Sequence, residues 1–139
     1  MSDRRVDGFF YGLFMDVAVL RNSGVVPMDP RKAYVDDFAL RIGKRATLVS
    51  SRGFRAYGML IALTHHELEQ LYGAPGLEQY RAEAVLAHLM DGGSAPALCY
   101  NLLDEPRADE RNPDYAVRLQ KALRDLSFPP EYVDSLTSS

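Results

Sequence analysis

Apolar and polar positions along this chain fall into runs of two different periods. The stretch Gly8-Phe9-Phe10-Tyr11-Gly12-Leu13-Phe14 starts as an unbroken apolar run, the pattern of a strand buried on both faces. It breaks at Tyr11-Gly12 and continues from Met15 to Arg21 as a short helix. Asn22-Ser23-Gly24 and Pro27-Met28-Asp29-Pro30 then mark a loop. From Ala33 to Ile42 the chain reads as a strand, with Phe38, Leu40 and Ile42 alternating onto one face. Gly43-Lys44 turns it into a second strand from Arg45 to Ser50. Ser51-Arg52-Gly53 predicts another turn, and the apolar run from Arg55 to Leu63 predicts a central strand.

Thr64-His65-His66-Glu67 has the capping-box spacing, a hydroxyl at the N-cap and a glutamate three residues on. It opens a short helix through Leu68 and Leu71 that ends near Gly73 and Pro75. Tyr80 to Leu89 and Pro96 to Leu102 flank Asp91-Gly92-Gly93 and predict a hairpin. Residues Asp104 to Arg111 are charged and aperiodic, an exposed loop. Asn112-Pro113 supplies an N-cap and a first helical residue, and Tyr115, Leu119, Leu123 and Leu126 form one apolar stripe behind them. Phe128-Pro129-Pro130 ends that helix. Glu131 to Leu136 makes a last short one before a Thr137-Ser138-Ser139 tail expected to fray. The order predicts a single α+β domain over 1–139, built on a largely antiparallel sheet. The pattern does not choose between an open sheet and a closed barrel.

Composition narrows the function. The 139 residues are 47% hydrophobic and 25% charged, ordinary for a soluble globular chain. A net charge of -3 with scattered arginines argues against nucleic acid as a partner. The lone Cys99, in Ala97-Leu98-Cys99-Tyr100, reads as a buried strand thiol and gives neither a disulfide nor a zinc pattern. His65 and His66 point in different directions on a helix, with no third ligand spaced to join them, so no metal is expected. No apolar run reaches membrane-spanning length and Met1-Ser2-Asp3-Arg4-Arg5 leads directly into a strand, so the expected location is the cytoplasm, without a membrane partner.

The candidate chemistry lies at Tyr11-Gly12. A glycine where a buried strand becomes a helix admits close approach of a ligand, and unpaired N–H groups at a helix start suit a carboxylate, a phosphate or a developing oxyanion. The same feature is equally the mark of a plain strand-to-helix turn. The order of motifs adds to it. Phe10-Tyr11-Gly12-Leu13-Phe14, Tyr57-Gly58-Met59-Leu60-Ile61-Ala62-Leu63-Thr64 with Glu67, Leu68 and Leu71, Pro75-Gly76, Tyr80-Arg81-Ala82-Glu83-Ala84-Val85, Tyr100-Asn101-Leu102, Asn112-Pro113-Asp114-Tyr115 and Pro130-Glu131-Tyr132 together resemble the gamma-glutamylcyclotransferase-like superfamily over nearly the whole chain.

The resemblance implies a small mixed barrel that cyclises a γ-glutamyl amine to 5-oxoproline, with no metal or cofactor. That reaction needs a proton carrier, donors for the tetrahedral oxygen and a curled substrate. In the family one glutamate carries the proton and the Tyr-Gly loop binds the glutamyl end. By this likeness Tyr11, Gly12, Leu13 and Phe14 are the substrate loop, Glu78 is the general acid/base and Tyr80 lies beside it. Glu83 is the second candidate, on a strand face shared with Arg81 and Val85. Two departures stand out. Leu13 and Phe14 replace the family's side-chain donors, and Pro75-Gly76 stands where a Glu-Gly is usual after the short helix. They motivate an alternative, a small-molecule binding module that keeps the pocket without the chemistry. The expected partner is a γ-glutamyl small molecule and the expected state a monomer or weak homodimer.

Overall fold

A closed barrel resolves the alternative that the sequence pattern leaves open. The structure, a computed structural model, describes residues 4–136. Its elements are β1 (Arg5–Phe10), a 3-10 turn (Leu13–Met15), α1 (Val17–Asn22), β2 (Met28–Ile42), β3 (Ala46–Thr64), α2 (His65–Tyr72), β4 (Tyr80–Leu89), β5 (Ser94–Leu102), α3 (Pro113–Asp125) and α4 (Pro130–Ser135). The strands run in the order β1-β3-β2-β4-β5, and β5 returns to β1 to close the ring. All neighbours are antiparallel except β1 and β5, which meet in parallel at Gly8 and Leu98. This is the mixed α+β barrel with flanking short helices. The Thr137-Ser138-Ser139 tail lies outside the described residues.

Two turns read from the sequence belong to longer strands. β2 begins at Met28, inside the stretch assigned to a loop, because Met28 already pairs with Ala62 and, after an irregularity, Arg31 to Asp36 pair residue by residue with Leu60 to Arg55. The Ser51-Arg52-Gly53 turn is a bulge. β3 continues through it: Asp36 pairs with Arg55 and Phe38 with Ser50, so residues 51–54 of β3 lie opposite Asp37 alone. Asp37 takes φ 66° and Gly53 φ 86°, and the Asp37 carboxylate accepts the Gly53 N–H at 3.0 Å. An aspartate tolerates the left-handed conformation because its short side chain can hydrogen-bond locally, and the bend is absorbed without breaking the strand.

The β4–β5 hairpin pairs from Tyr80↔Leu102 to His88↔Ser94, as its Asp-Gly signal predicts. Period-two burial on both strands places Val85, Ala87, Ala97 and Cys99 inside. Burial holds the Cys99 thiol up at about 12, with the Glu83 carboxylate adding to the shift and Asn101 opposing it, so the thiol stays protonated at neutral pH. The core draws Phe9, Leu60, Ile61 and Leu63 from the barrel, Leu68 and Leu71 from α2, and Leu119 and Leu123 from α3.

The capping box on α2 forms as its spacing predicts. Thr64 Oγ1 accepts the Glu67 N–H at 3.0 Å, and Glu67 Oε1 accepts the Thr64 N–H at 2.9 Å. Glu67 also accepts the Val26 N–H at 2.7 Å and meets Arg5 at 3.4 Å, so one carboxylate ties α2 to β1 and to the end of the α1 loop. Partial burial pushes its carboxyl up. The Thr64 and Val26 N–H groups, the Thr64 hydroxyl and Arg5 together overcome that and hold it below the usual range.

Because the folded-state value is lowered, the stabilisation is fully present above the unfolded carboxylate pKa and is lost as pH falls through the folded one. Glu67→Gln is expected to cost about 1–2 kcal/mol at pH 7. The deficit relative to wild type should shrink toward pH 3, as urea melts at both pH values would record. A deficit independent of pH would assign the effect to packing instead.

Candidate functional site

A cavity of about 310 Å³ opens where β1 ends and β4 begins. Its wall takes Phe10 and Tyr11 from the end of β1, Gly12, Leu13 and Phe14 from the turn that follows, and Val19 from α1. The far side is built from Lys44, Arg45 and Ala46 at the β2–β3 turn, Tyr72 at the end of α2, Leu77, Tyr80 at the start of β4, and Tyr115 and Arg118 on α3. The volume is at the lower end for small-molecule sites.

Each tyrosine has a distinct hydrogen-bonding state. Tyr11 donates its buried hydroxyl to the Tyr100 carbonyl at 2.7 Å, and Tyr80 donates to the Ala46 carbonyl at 2.5 Å. Tyr80 is therefore anchored to β3 rather than set beside a carboxylate. The Tyr115 hydroxyl accepts the Leu13 N–H at 3.3 Å, so the backbone donor that the Tyr-Gly turn offers is met from within the protein. Gly12 is required here, since a Cβ on it would collide with that hydroxyl. Tyr72 stacks on Tyr100, with ring centroids 4.0 Å apart and planes at 7°, and takes Phe14 edge-on at 5.9 Å. Its hydroxyl has no hydrogen-bond partner among the described residues. Burial raises the pKa of Tyr11, Tyr72, Tyr80 and Tyr115, so these phenols remain neutral donors at physiological pH.

The carboxylates lie elsewhere. Glu78 is exposed, and both its oxygens accept the Gly76 N–H, at 3.0 and 3.1 Å, closing the turn between α2 and β4. Its own backbone N–H, the Gly76 N–H and Arg45 hold its carboxyl below the usual range, the opposite of what a neutral-pH base needs. Leu77 and Tyr80 on either side of it reach the cavity, whereas Glu78 does not line it. Glu83 is exposed and accepts the Asn101 side-chain amide at 2.8 Å. No Asp or Glu lines the cavity among the described residues.

The glycine-ended dipeptide that closes α2 is Tyr72-Gly73, not Pro75-Gly76. Tyr72, the last residue of α2, lines the cavity. Sequence reasoning did not single out Tyr72. The helix length set by Leu68 and Leu71 was the available signal. The cationic rim was missed too, because Lys44, Arg45 and Arg118 come from two distant segments. Among the described residues no group of His, Cys, Asp and Glu could hold a metal ion.

No family model matches this chain, and no curated protein matches it by sequence. Solved structures do. One described as "Gamma-glutamyl cyclotransferase" superposes with a TM-score of 0.79 at 19% identity, over 96% of this chain and 86% of its own. YkqA from Bacillus subtilis gives 0.79 at 21% identity, over 97% of this chain and 54% of its own. An AIG2-like protein from Mus musculus gives 0.56 at 13% identity, over 80% and 90%. The fold is thus the gamma-glutamylcyclotransferase-like one.

Tyr115→Phe leaves the Leu13 N–H without its partner and is expected to cost about 1–2 kcal/mol in a denaturant titration. Gly12→Ala should cost at least as much, because the turn and α3 must move apart. A fully stable Gly12→Ala protein would contradict the tight Tyr115 contact.

Proposed function

We propose that this protein, with its gamma-glutamylcyclotransferase-like fold, is a small-molecule binding module that keeps the family's pocket without a carboxylate-driven cyclisation. The observation that carries the reading is the lining of the cavity, which holds tyrosines and cations but no acid. Cyclising a γ-glutamyl amine requires a group that takes a proton from the α-ammonium and returns it to the leaving amine. A neutral phenol with a raised pKa is a poor base at neutral pH, and the tyrosines here are of that kind. What the pocket retains is shape, apolar walls at Phe10, Leu13, Phe14 and Leu77, and a Tyr72 hydroxyl with no hydrogen-bond partner among the described residues.

A cyclotransferase is the second reading, favoured by the extent of the structural likeness. Glu78 would then serve as the general acid/base. It would have to release the Gly76 N–H and swing past Leu77, leaving Arg45, to enter the pocket.

Incubation with a panel of γ-glutamyl amines and dipeptides is expected to release no 5-oxoproline. Small organic acids at saturating concentration should raise the melting temperature by a few degrees. Leu13→Trp, which fills the cavity, should abolish the rise. Release of 5-oxoproline by the wild type that disappears in Glu78→Gln would overturn the binding reading in favour of the enzyme.

A further inference from the structure

The charges around the cavity restrict what it can hold. Lys44, Arg45 and Arg118 all line it, and all three are exposed at its mouth. None of them forms an ion pair among the described residues. Glu110 and Glu78 lie near them with their oxygens engaged by backbone N–H groups, and the Glu110 carboxylate is lowered by these bonds and in part by the Lys44 charge. Glu110 accepts the backbone N–H groups of Lys44 and Arg107, each at 3.0 Å, and Glu78 accepts that of Gly76. Arg45 lies along the Gly76 turn, where its guanidinium lowers the Glu78 carboxyl without a direct contact. The ligand side of the rim is therefore positive, and its walls are apolar.

The rim is held in place rather than loose. Asn112 Nδ2 donates to the Lys44 carbonyl at 3.1 Å while Glu110 accepts the Lys44 N–H, so the loop before α3 clamps the β2–β3 turn from both sides. Tyr80 fixes the next residue but one through the Ala46 carbonyl. Arg118 stands one helical turn beyond Tyr115, whose hydroxyl is bound to the Leu13 N–H.

We infer that the ligand is a small carboxylic acid with no free ammonium group: a lactam acid, an N-acylated amino acid or a simple dicarboxylate. The inference rests on the binding-module reading and names its ligand class. A carboxylate meets Arg45 and Arg118 at the mouth through charge-assisted hydrogen bonds. An amide or lactam group meets the Tyr72 hydroxyl. An ammonium entering the same space would find three cations, apolar walls and no acid, and burying it unpaired is costly. The pocket is in this respect mismatched to a γ-glutamyl amine, whose α-ammonium must be accommodated, and matched to its cyclised or acylated counterparts.

The test compares pairs of probes that differ by the ammonium: glutarate against glutamate, and 5-oxoproline against γ-glutamyl methylamide, by calorimetry on the wild type and on Arg45→Gln/Arg118→Gln. The first member of each pair should bind about tenfold more tightly or better, with affinity falling as salt rises. The double variant should lose most of that difference while its circular dichroism is unchanged. Equal affinities within both pairs would overturn the inference and leave the binding module standing. No binding by any of the four would sink both. Release of 5-oxoproline from γ-glutamyl methylamide would sink the binding-module reading alone if glutarate still bound more tightly than glutamate.

Discussion

Everything in this molecule depends on β1 being held from both sides. Its six residues pair along their length with β3 and touch β5 in parallel at Gly8 and Leu98, which turns an open sheet into a ring. The inner end of this strand is apolar, with Phe9 and Phe10 almost fully buried, while Arg5 and Asp7 at its start pair with Glu67 and Arg31. The strand must stop where the barrel wall stops. The chain leaves the ring at Tyr11, and the Tyr11 hydroxyl bonds the β5 carbonyl beside it, so the exit itself reinforces the closure. The cavity is the space between this exit and the elements that cover the barrel mouth.

That origin explains why the pocket is lined by phenols whose hydroxyls end on main-chain groups. At the mouth of a closed barrel, strand-end carbonyls and turn N–H groups have lost their ladder partners and must be met by something else. Tyr11, Tyr80 and Tyr115 meet them. Each ring also presents an apolar face to the cavity, so one residue type satisfies the backbone and builds the wall. Tyr72 differs from them: it stacks on Tyr100 and lines the cavity, and its hydroxyl has no hydrogen-bond partner among the described residues.

Much of the architecture is legible in the sequence, and the reasons are local. The capping box, the Asp-Gly hairpin and the Asn-Pro helix start are short-range signals whose partners lie within a few residues. The opening strand is legible for another reason: burial on both faces leaves an uninterrupted apolar run. The readings that needed correction depend on partners far away in the chain. Ser51-Arg52-Gly53 looks like a turn until Asp37, on the facing strand, is known to take the left-handed conformation and accept the Gly53 N–H. The site suffers most from this. Tyr11 to Phe14 and Tyr80 line one cavity, whereas Glu78, the acid nearest the position that the family likeness indicates, folds back on its own turn. The rim joins Arg45 to Arg118, a relation that only the folded barrel creates.

Closing the ring with β1 and β5 also sets when the protein can fold. The contact from Gly8 to Leu98 and the bond from Tyr11 to Tyr100 span nearly the whole sheet-forming part of the chain. The β2–β3 and β4–β5 hairpins join neighbours in sequence and can assemble early. Barrel closure must wait for a loop of about 90 residues to be drawn together, at an entropic cost that grows with the logarithm of its length. A ribosome must therefore release β5 before β1 has its second neighbour, and until then β1, with Phe9 and Phe10, has one edge unpaired. The pocket, built on the exit of that strand, draws its wall from segments that this closure brings together.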